Sequence, residues 1–361
     1  MNNRVRALAV SGSAIIIIVF ILSLASAVTG FAQQKGNEKK FDKAQTQEIQ
    51  ALVRLVNDAT AGKPAPADFP VTWQNHSLKA RDQRTFVPYS ITIPQGSMTS
   101  PSVAVYVRVV KRAGEAPPSA PAAAGDKDQK DPKAVPSEFP FEDVYFADLR
   151  APEGKEPYRL MRALSVAPGD YDVYVTVRER ATPDKKGAPA PKASLLKQPL
   201  SVPDYWLPEL MVSSIILAEK VEPLTAPIPE SQIAENPYAL GMTRFVPAAE
   251  NRKFSKKEEL SIIFLVYNTT DTNKKPDVTV EYNFNQKIDG GEKFFNKTNP
   301  QAFNAETLPP QFDTATGHQL VAGQTVPLAS FPEGDYRLEI KVTDKVSGKT
   351  LVQNVLFSVT Q

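Results

Sequence analysis

The sequence contains no cysteine, which excludes disulfides, attachment of a lipid through a thiol, and thiolate metal ligands. Histidine is almost as scarce. Only His76 and His318 occur, and neither stands beside another donor at metal-ligand spacing, so a structural zinc site has nothing to be built from. Also missing are a Gly-x-Ser-x-Gly elbow, a His-Glu-x-x-His helix, a phosphate-cradling glycine loop and a dinucleotide fingerprint, and with them the usual support for a hydrolase, kinase or dehydrogenase. An excess of charge of one sign is lacking too. Lysine and arginine number 42 against 40 acidic residues, which argues against a nucleic-acid partner bound through a basic face. The expectation is a protein that is not an enzyme and carries no cofactor.

What the N-terminus does contain is the layout of an export signal. Arg4 and Arg6 precede an apolar block from Ala14 to Leu22, small residues follow, and no further charge occurs before Lys35. Small residues at positions −3 and −1 suit signal peptidase. Both Ala25-Ser26-Ala27 and Gly30-Phe31-Ala32 supply them, and cleavage after Ala32, leaving Gln33 first, is the preferred reading. The competing reading is an uncleaved anchor over Ala7 to Val28, which meets the roughly 20 residues a spanning helix needs. On either reading the remainder is carried across, to a periplasmic or extracellular location, and membrane contact is expected only if the leader is kept. Loss of the two leader arginines brings 42 basic residues to 40, level with the 40 acidic ones.

The mature chain is rich in proline, 32 residues in 361, and this disfavours long helices. One helical period stands out between 38 and 61, where Ile49, Leu52, Val53 and Val56 fall on one face and Gly62 follows as a stop. Gly62 to Pro70, with Pro64, Pro66 and Pro70, reads as a stiff spacer. From Val71 onward the pattern becomes short β-branched and aromatic runs between Pro, Gly, Asn and Asp, the mark of strands and turns.

Two pairs of blocks suggest a duplicated unit. Thr85-Phe86-Val87-Pro88 resembles Thr243-Arg244-Phe245-Val246-Pro247, and Leu164 to Tyr171 matches Ala329 to Tyr336 without a gap. After each Gly-Asp-Tyr the alternation is strict: Tyr171, Val173, Val175 and Val177 share one face, as do Tyr336, Leu338, Ile340 and Val342. A Gly-x-Tyr opening a late strand resembles the tyrosine corner of immunoglobulin-like sandwiches, and Tyr171 and Tyr336 are therefore expected to be structural corners. The predicted fold is all-β: a signal peptide (1–32), a short amphipathic helix with a Pro-rich spacer (33–67), and two tandem Ig-like β-sandwich domains (68–203 and 204–361).

Two stretches, 113–137 and 181–193, are rich in Ala, Pro and Lys and read as long loops. Asp126, Asp128 and Asp131 lack the glycine and terminal glutamate of a calcium loop and read as solvated charge; Asp170 and Asp335 read as turn residues rather than metal ligands. His76, next to Trp73, reads as a partly buried polar residue at a domain edge. Candidate contact residues for a ligand or partner are the aromatics Trp73, Tyr205, Trp206 and Phe294. Each has a packing alternative, with Asp204 to Pro208 falling at the domain junction and Phe294 adjoining Phe295 on a strand.

Leader, helix and Pro-(x)-Gly-Asp-Tyr units together resemble the tandem immunoglobulin- or fibronectin-like β-sandwich modules of uncharacterised secreted bacterial proteins, mainly over 240–361. The resemblance implies a non-enzymatic extracytoplasmic binding or scaffold protein that presents its sandwiches to another envelope or extracellular protein. A carbohydrate-binding or adhesin-like module is the alternative, and an accessory protein of an exported enzyme the third.

Overall fold

The structure, a computed structural model, describes residues 41–112, 138–149, 154, 156–180, 190–250 and 253–361. The leader, its cleavage after Ala32, the cluster Asp126, Asp128 and Asp131 and most of the two low-complexity stretches lie outside those residues.

The helical period materialises as α1 (Lys43–Thr60). Asp42 caps it: its carboxylate accepts from Gln45 N at 2.8 Å while the Gln45 side chain accepts from Asp42 N at 3.0 Å, a reciprocal box that satisfies two otherwise orphaned donors. Leu52 and Val56, four residues apart, are fully buried, and Glu48 beside them pairs with Arg180 at 3.2 Å.

The first sandwich is built from β1 (Thr72–Asn75), β2 (Leu78–Lys79), β3 (Thr85–Ile93), β4 (Ser102–Lys111), β5 (Phe141–Asp148), β6 (Tyr158–Val166), β7 (Gly169–Glu179) and β8 (Ala193–Val202). One sheet places β3 between β6 and the successive pieces β1 and β2; the other runs β5-β4-β7-β8, antiparallel throughout. The core between them takes Val87, Tyr89 and Ile91 from one side and Val103, Val105, Val173, Val175 and Val177 from the other. Helix α1 covers the outer face of the second sheet, packing Leu52 and Val56 on Ala104, Tyr106 and Tyr174. Strands β4 and β7 are consequently buried on both faces.

The second sandwich repeats this order. Its strands are β9 (Met211–Val212), β10 (Ile216–Pro223), β11 (Ala239–Leu240), β12 (Thr243–Pro247), β13 (Lys253–Ser255), β14 (Glu259–Tyr267), the small ribbon β15 (Asp271–Thr272) and β16 (Lys275–Pro276), β17 (Val278–Ile288), β18 (Gly291–Lys297), β19 (Gln301–Phe303), β20 (Leu320–Pro327), β21 (Gly334–Asp344) and β22 (Lys349–Thr360). One sheet runs β11-β12-β10-β14-β20; the other, β13-β22-β21-β17-β18, with β19 also on β17. Strand β14 therefore corresponds to β3, β17 to β4, β20 to β6, β21 to β7 and β22 to β8, in the manner of an immunoglobulin-like sandwich.

That correspondence corrects one of the two sequence matches. Leu164–Tyr171 and Ala329–Tyr336 are equivalent, for Gly169 and Gly334 have φ of 140° and 141°, a region closed to other residues, and each precedes an inward tyrosine. Thr85–Pro88 and Thr243–Pro247 are not equivalent. The first opens β3, a central strand, whereas the second is β12, a hairpin strand outside β10 with no counterpart in the first sandwich. The shared residues are those that favour any strand, and four such positions do not specify a place in a topology.

Candidate binding site between the sandwiches

The two sandwiches meet through the outer faces of the sheets that contain β3 and β14. Strand β3 shows the cost in sequence: Thr85 to Thr92 is buried almost without alternation, because the inward face lies in its own core and the outward face lies against the second sandwich or the segment preceding β11. Met161 of β6 packs with Ile216, Ala218, Phe245 and Ile263, while Ile233 packs on Phe86 and Ala163.

Pro88 organises the polar part of this junction. Lacking an N–H, it interrupts the ladder on β3 and divides the neighbouring strand into β1 and β2, with His76 and Ser77 in the gap. His76 N still donates to Pro88 O at 2.9 Å, but the groups of Ser77 turn outward. Ser77 N donates to Ser214 Oγ at 2.9 Å, and Ser77 O accepts from Ser214 N at 3.0 Å and from the Tyr205 hydroxyl at 3.1 Å. Around it Gln74 Nε2 donates to Ala248 O at 3.0 Å, and Arg159 donates to Pro247 O at 2.9 Å and pairs with Glu219 at 3.2 Å. These bonds tie β1, β6 and the gap between β1 and β2 to the segments around β10 and β12 of the other sandwich.

Beside the junction lies a cleft of about 640 Å³. Leu78 and Phe86 form its wall in the first sandwich; Ile216, Phe245, Ile263 and Leu265 form the wall in the second. A third side comes from the segment between β10 and β11. Pro223, Pro227, Pro229 and Pro237 prevent that segment from continuing either a helix or a sheet, and it instead makes a 3₁₀ turn over Glu230–Glu235. It presents Ile228, Ile233, Tyr238 and Leu240 to the cleft. An ion pair from Arg162 to Glu235 at 2.7 Å and a bond from Arg244 to Asn236 at 3.1 Å hold it down.

The mouth is polar. Lys79 Nζ donates to Asn268 Oδ1 at 2.8 Å and sits 4.4 Å above the Trp206 ring. Burial lowers the Lys79 pKa, opposed by the attraction of Asp204. Behind the lining residue Tyr238, His76 Nδ1 lies 2.9 Å from its hydroxyl, and burial pushes the His76 pKa down to about 4, so the imidazole is neutral at physiological pH. Burial raises the pKa values of Tyr238 and Tyr267 in the same way. Among the described residues no group of three His, Asp or Glu side chains could hold a metal ion.

The aromatics singled out in the sequence are dispersed. Trp73 is buried in the first core, stacked on Tyr89 at 4.2 Å, and offers no platform to a ligand. Tyr205 is buried at the junction, bonded to Ser77 and edge-on to Tyr267. Trp206 alone of the four lines the cleft, and it is 42% exposed. Phe294 is exposed on edge strand β18, far along the second sandwich, while Phe295 packs on Phe331 and Tyr336. Tyr171 donates to Ala167 O at 2.8 Å and Tyr336 to Pro332 O at 2.7 Å, the same bond four residues back. Asp335 accepts from Ser358 Oγ at 2.6 Å. Sequence reading missed Ile233, Tyr238, Leu240, Phe86 and Phe245. A signal for them existed in the two-faced apolarity of β3 and in an apolar, proline-interrupted segment too greasy for a solvated loop.

No family model and no curated protein matches the chain. Among solved structures it is similar to a Salmonella alpha-2-macroglobulin mutant, at 10% identity and a TM-score of 0.19, covering 82% of this chain and 17% of that one. It is similar also to the C-terminal domain of a Streptococcus agalactiae AgI/II polypeptide, at 9% identity and a TM-score of 0.22, covering 80% and 100% of the two chains. Red sea bream transglutaminase, at 8% identity and a TM-score of 0.19, is covered over 34% of its length by 89% of this chain.

Proposed function

We propose that this is a non-enzymatic binding or scaffold protein acting outside the cytoplasmic membrane, and that the cleft between its sandwiches receives an apolar element of an envelope or extracellular protein. The observation that carries this reading is the cleft itself, preformed between two bonded sandwiches, apolar in its walls and polar at its mouth. Its volume falls within the roughly 300–1,000 Å³ usual for ligand sites, and each aliphatic or aromatic side chain fully buried there would contribute about 1.5–3 kcal/mol. A leader of signal-peptide layout supports the location. No helix among the described residues is long and apolar enough to cross a membrane. Glycan binding is the second reading and rests on Trp206 at the mouth.

An apolar fluorescent naphthalene probe tests the site. Saturable binding to the mature chain, weakened at least tenfold by Leu240→Trp with an unchanged melting temperature, is expected. The proposal fails if the probe does not bind or is indifferent to the filling substitution. The partner class is tested in the same pair of proteins by recovering complexes from the native envelope: a protein partner lost with Leu240→Trp supports the reading, and displacement of the probe by oligosaccharides would favour the glycan.

A further inference from the structure

A sheet edge left open is a template for another strand, and folded proteins commonly blunt such edges with charge, proline or cover. In the two sheets that face away from the junction, three strands at or near an edge carry such devices. Strand β5 has Glu142, Asp143 and Asp148; β8 has Lys197 and Pro199; β18 has Glu292, Lys293 and Lys297. The fourth, β22, carries them only at its ends, with Lys349 at its start and the short strand β13 beside its last residues. From Thr350 to Thr360 it contains no charge, no proline and no glycine. Among the described residues β13 covers only its last three positions, Ser358 to Thr360.

The direction of the free backbone groups follows from that short cover. Lys256 N donates to Thr360 O at 2.9 Å, so Thr360 turns its peptide groups toward the open side, and the alternation along a strand turns Ser358, Leu356, Asn354, Val352 and Thr350 the same way. The side chains of these residues stand on the outer face, where Val352 is 47% and Leu356 60% exposed, high values for residues of their kind inside a sheet.

We propose that β22 pairs antiparallel with β22 of a second copy of this chain, about a two-fold axis through Asn354. In that register Val352 faces the partner's Leu356, Asn354 faces the partner's Asn354 and Leu356 faces the partner's Val352. All three are positions whose peptide groups point outward, so each pair exchanges two hydrogen bonds, about six in all. The four apolar side chains meet across the axis with no charge among them. Thr350 would face the partner's Ser358, which β13 already occupies, and the pairing ends there. The chain is self-complementary over this segment, an isologous contact that closes as a dimer rather than growing into a fibre.

The test is sedimentation equilibrium of the mature chain. A dimer is expected. Val352→Lys with Leu356→Lys sets lysine opposite lysine at both ends and should weaken it by about tenfold or more, whereas Val352→Lys with Leu356→Glu sets lysine opposite glutamate and should restore most of the loss. Both substituted positions are exposed, so the melting temperature should change little. A chain that lacks cysteine permits an independent measurement. Cα atoms of an antiparallel hydrogen-bonded pair lie about 5.5 Å apart, within disulfide reach, so Asn354→Cys should oxidise to a covalent dimer and Thr350→Cys should not. A monomer at all concentrations, a dimer indifferent to the paired lysines, or equal cross-linking at 350 and 354 would each overturn the proposal.

Discussion

Acid should loosen the junction before it unfolds the sandwiches, because the one imidazole built into it is held neutral. His76 is buried at the junction, its ring edge-on to Tyr238 at 5.5 Å and its Nδ1 at 2.9 Å from the Tyr238 hydroxyl. The charge of Arg159 acts on Tyr238, and as a cation it offers a proton on His76 no stabilisation. In the unfolded chain the imidazole titrates near 6.5, while burial lowers it to about 4 in the folded protein. Because the folded value is the lower one, protons bind the unfolded state first. The folded state is unpenalised above pH 6.5, loses stability as the pH falls from 6.5 toward 4, and loses nothing further from this group below 4. Each unit between the two values is worth about 1.4 kcal/mol, so the full penalty is about 3 kcal/mol. Thermal unfolding followed at pH 7, 5.5 and 4 for the wild type and for His76→Gln isolates it. Asp344 and Glu179 add an acid sensitivity common to both proteins: burial pushes their carboxyls up, but bonds from Ser347 and Thr270, and from Thr99, Lys192 and Ser100, outweigh it and hold them below the usual range. The wild type should lose roughly 5 °C or more relative to His76→Gln over that interval. Parallel pH profiles for the two proteins would refute the reasoning.

Tyr171→Phe and Tyr336→Phe each remove a donor to a backbone carbonyl within a buried corner and should each cost about 1–2 kcal/mol by calorimetry, additively, since the two sites share no partner. Leu52→Ala empties the contact of α1 on Tyr106 and Tyr174 and should cost about 2–4 kcal/mol, with hydrogen exchange rising first in residues 43–60. A Cβ at Gly323 would stand 2.7 Å from Ile262 O in the β14 and β20 ladder; Gly323→Ala should lower the melting temperature by several degrees, at a cost of about 1–3 kcal/mol, while Gly290→Ala, with open space around it, should suffer only its positive φ.

Much of the fold was legible because it is written locally. The period of Leu52 and Val56 specifies a helix face, the alternation from Tyr171 and from Tyr336 specifies half-buried strands, and Gly169 and Gly334 mark the only backbone a glycine must supply before each corner. Matching by composition alone failed at Thr85 and Thr243, since strand-forming residues say where a strand runs but not which neighbours it has. The absence of cysteine and the balance of charge restrict chemistry without reference to any fold.

The cleft belongs to the tertiary structure. Phe86, Ile233, Tyr238 and Phe245 come from three segments up to about 160 residues apart in sequence, and their local apolarity marks them for burial without saying against what. Whether an apolar side chain is buried in its own sandwich or walls a cavity between two depends on which outer face meets which, and that is decided by Pro88 breaking a ladder, by Ser77 turning its peptide groups toward Ser214, and by Arg162 fastening Glu235. Each is a long-range contact. The same holds for the edge of β22, whose uncharged run is visible in sequence but whose exposure, with β13 pairing only with its last three residues among those described, is a matter of tertiary structure.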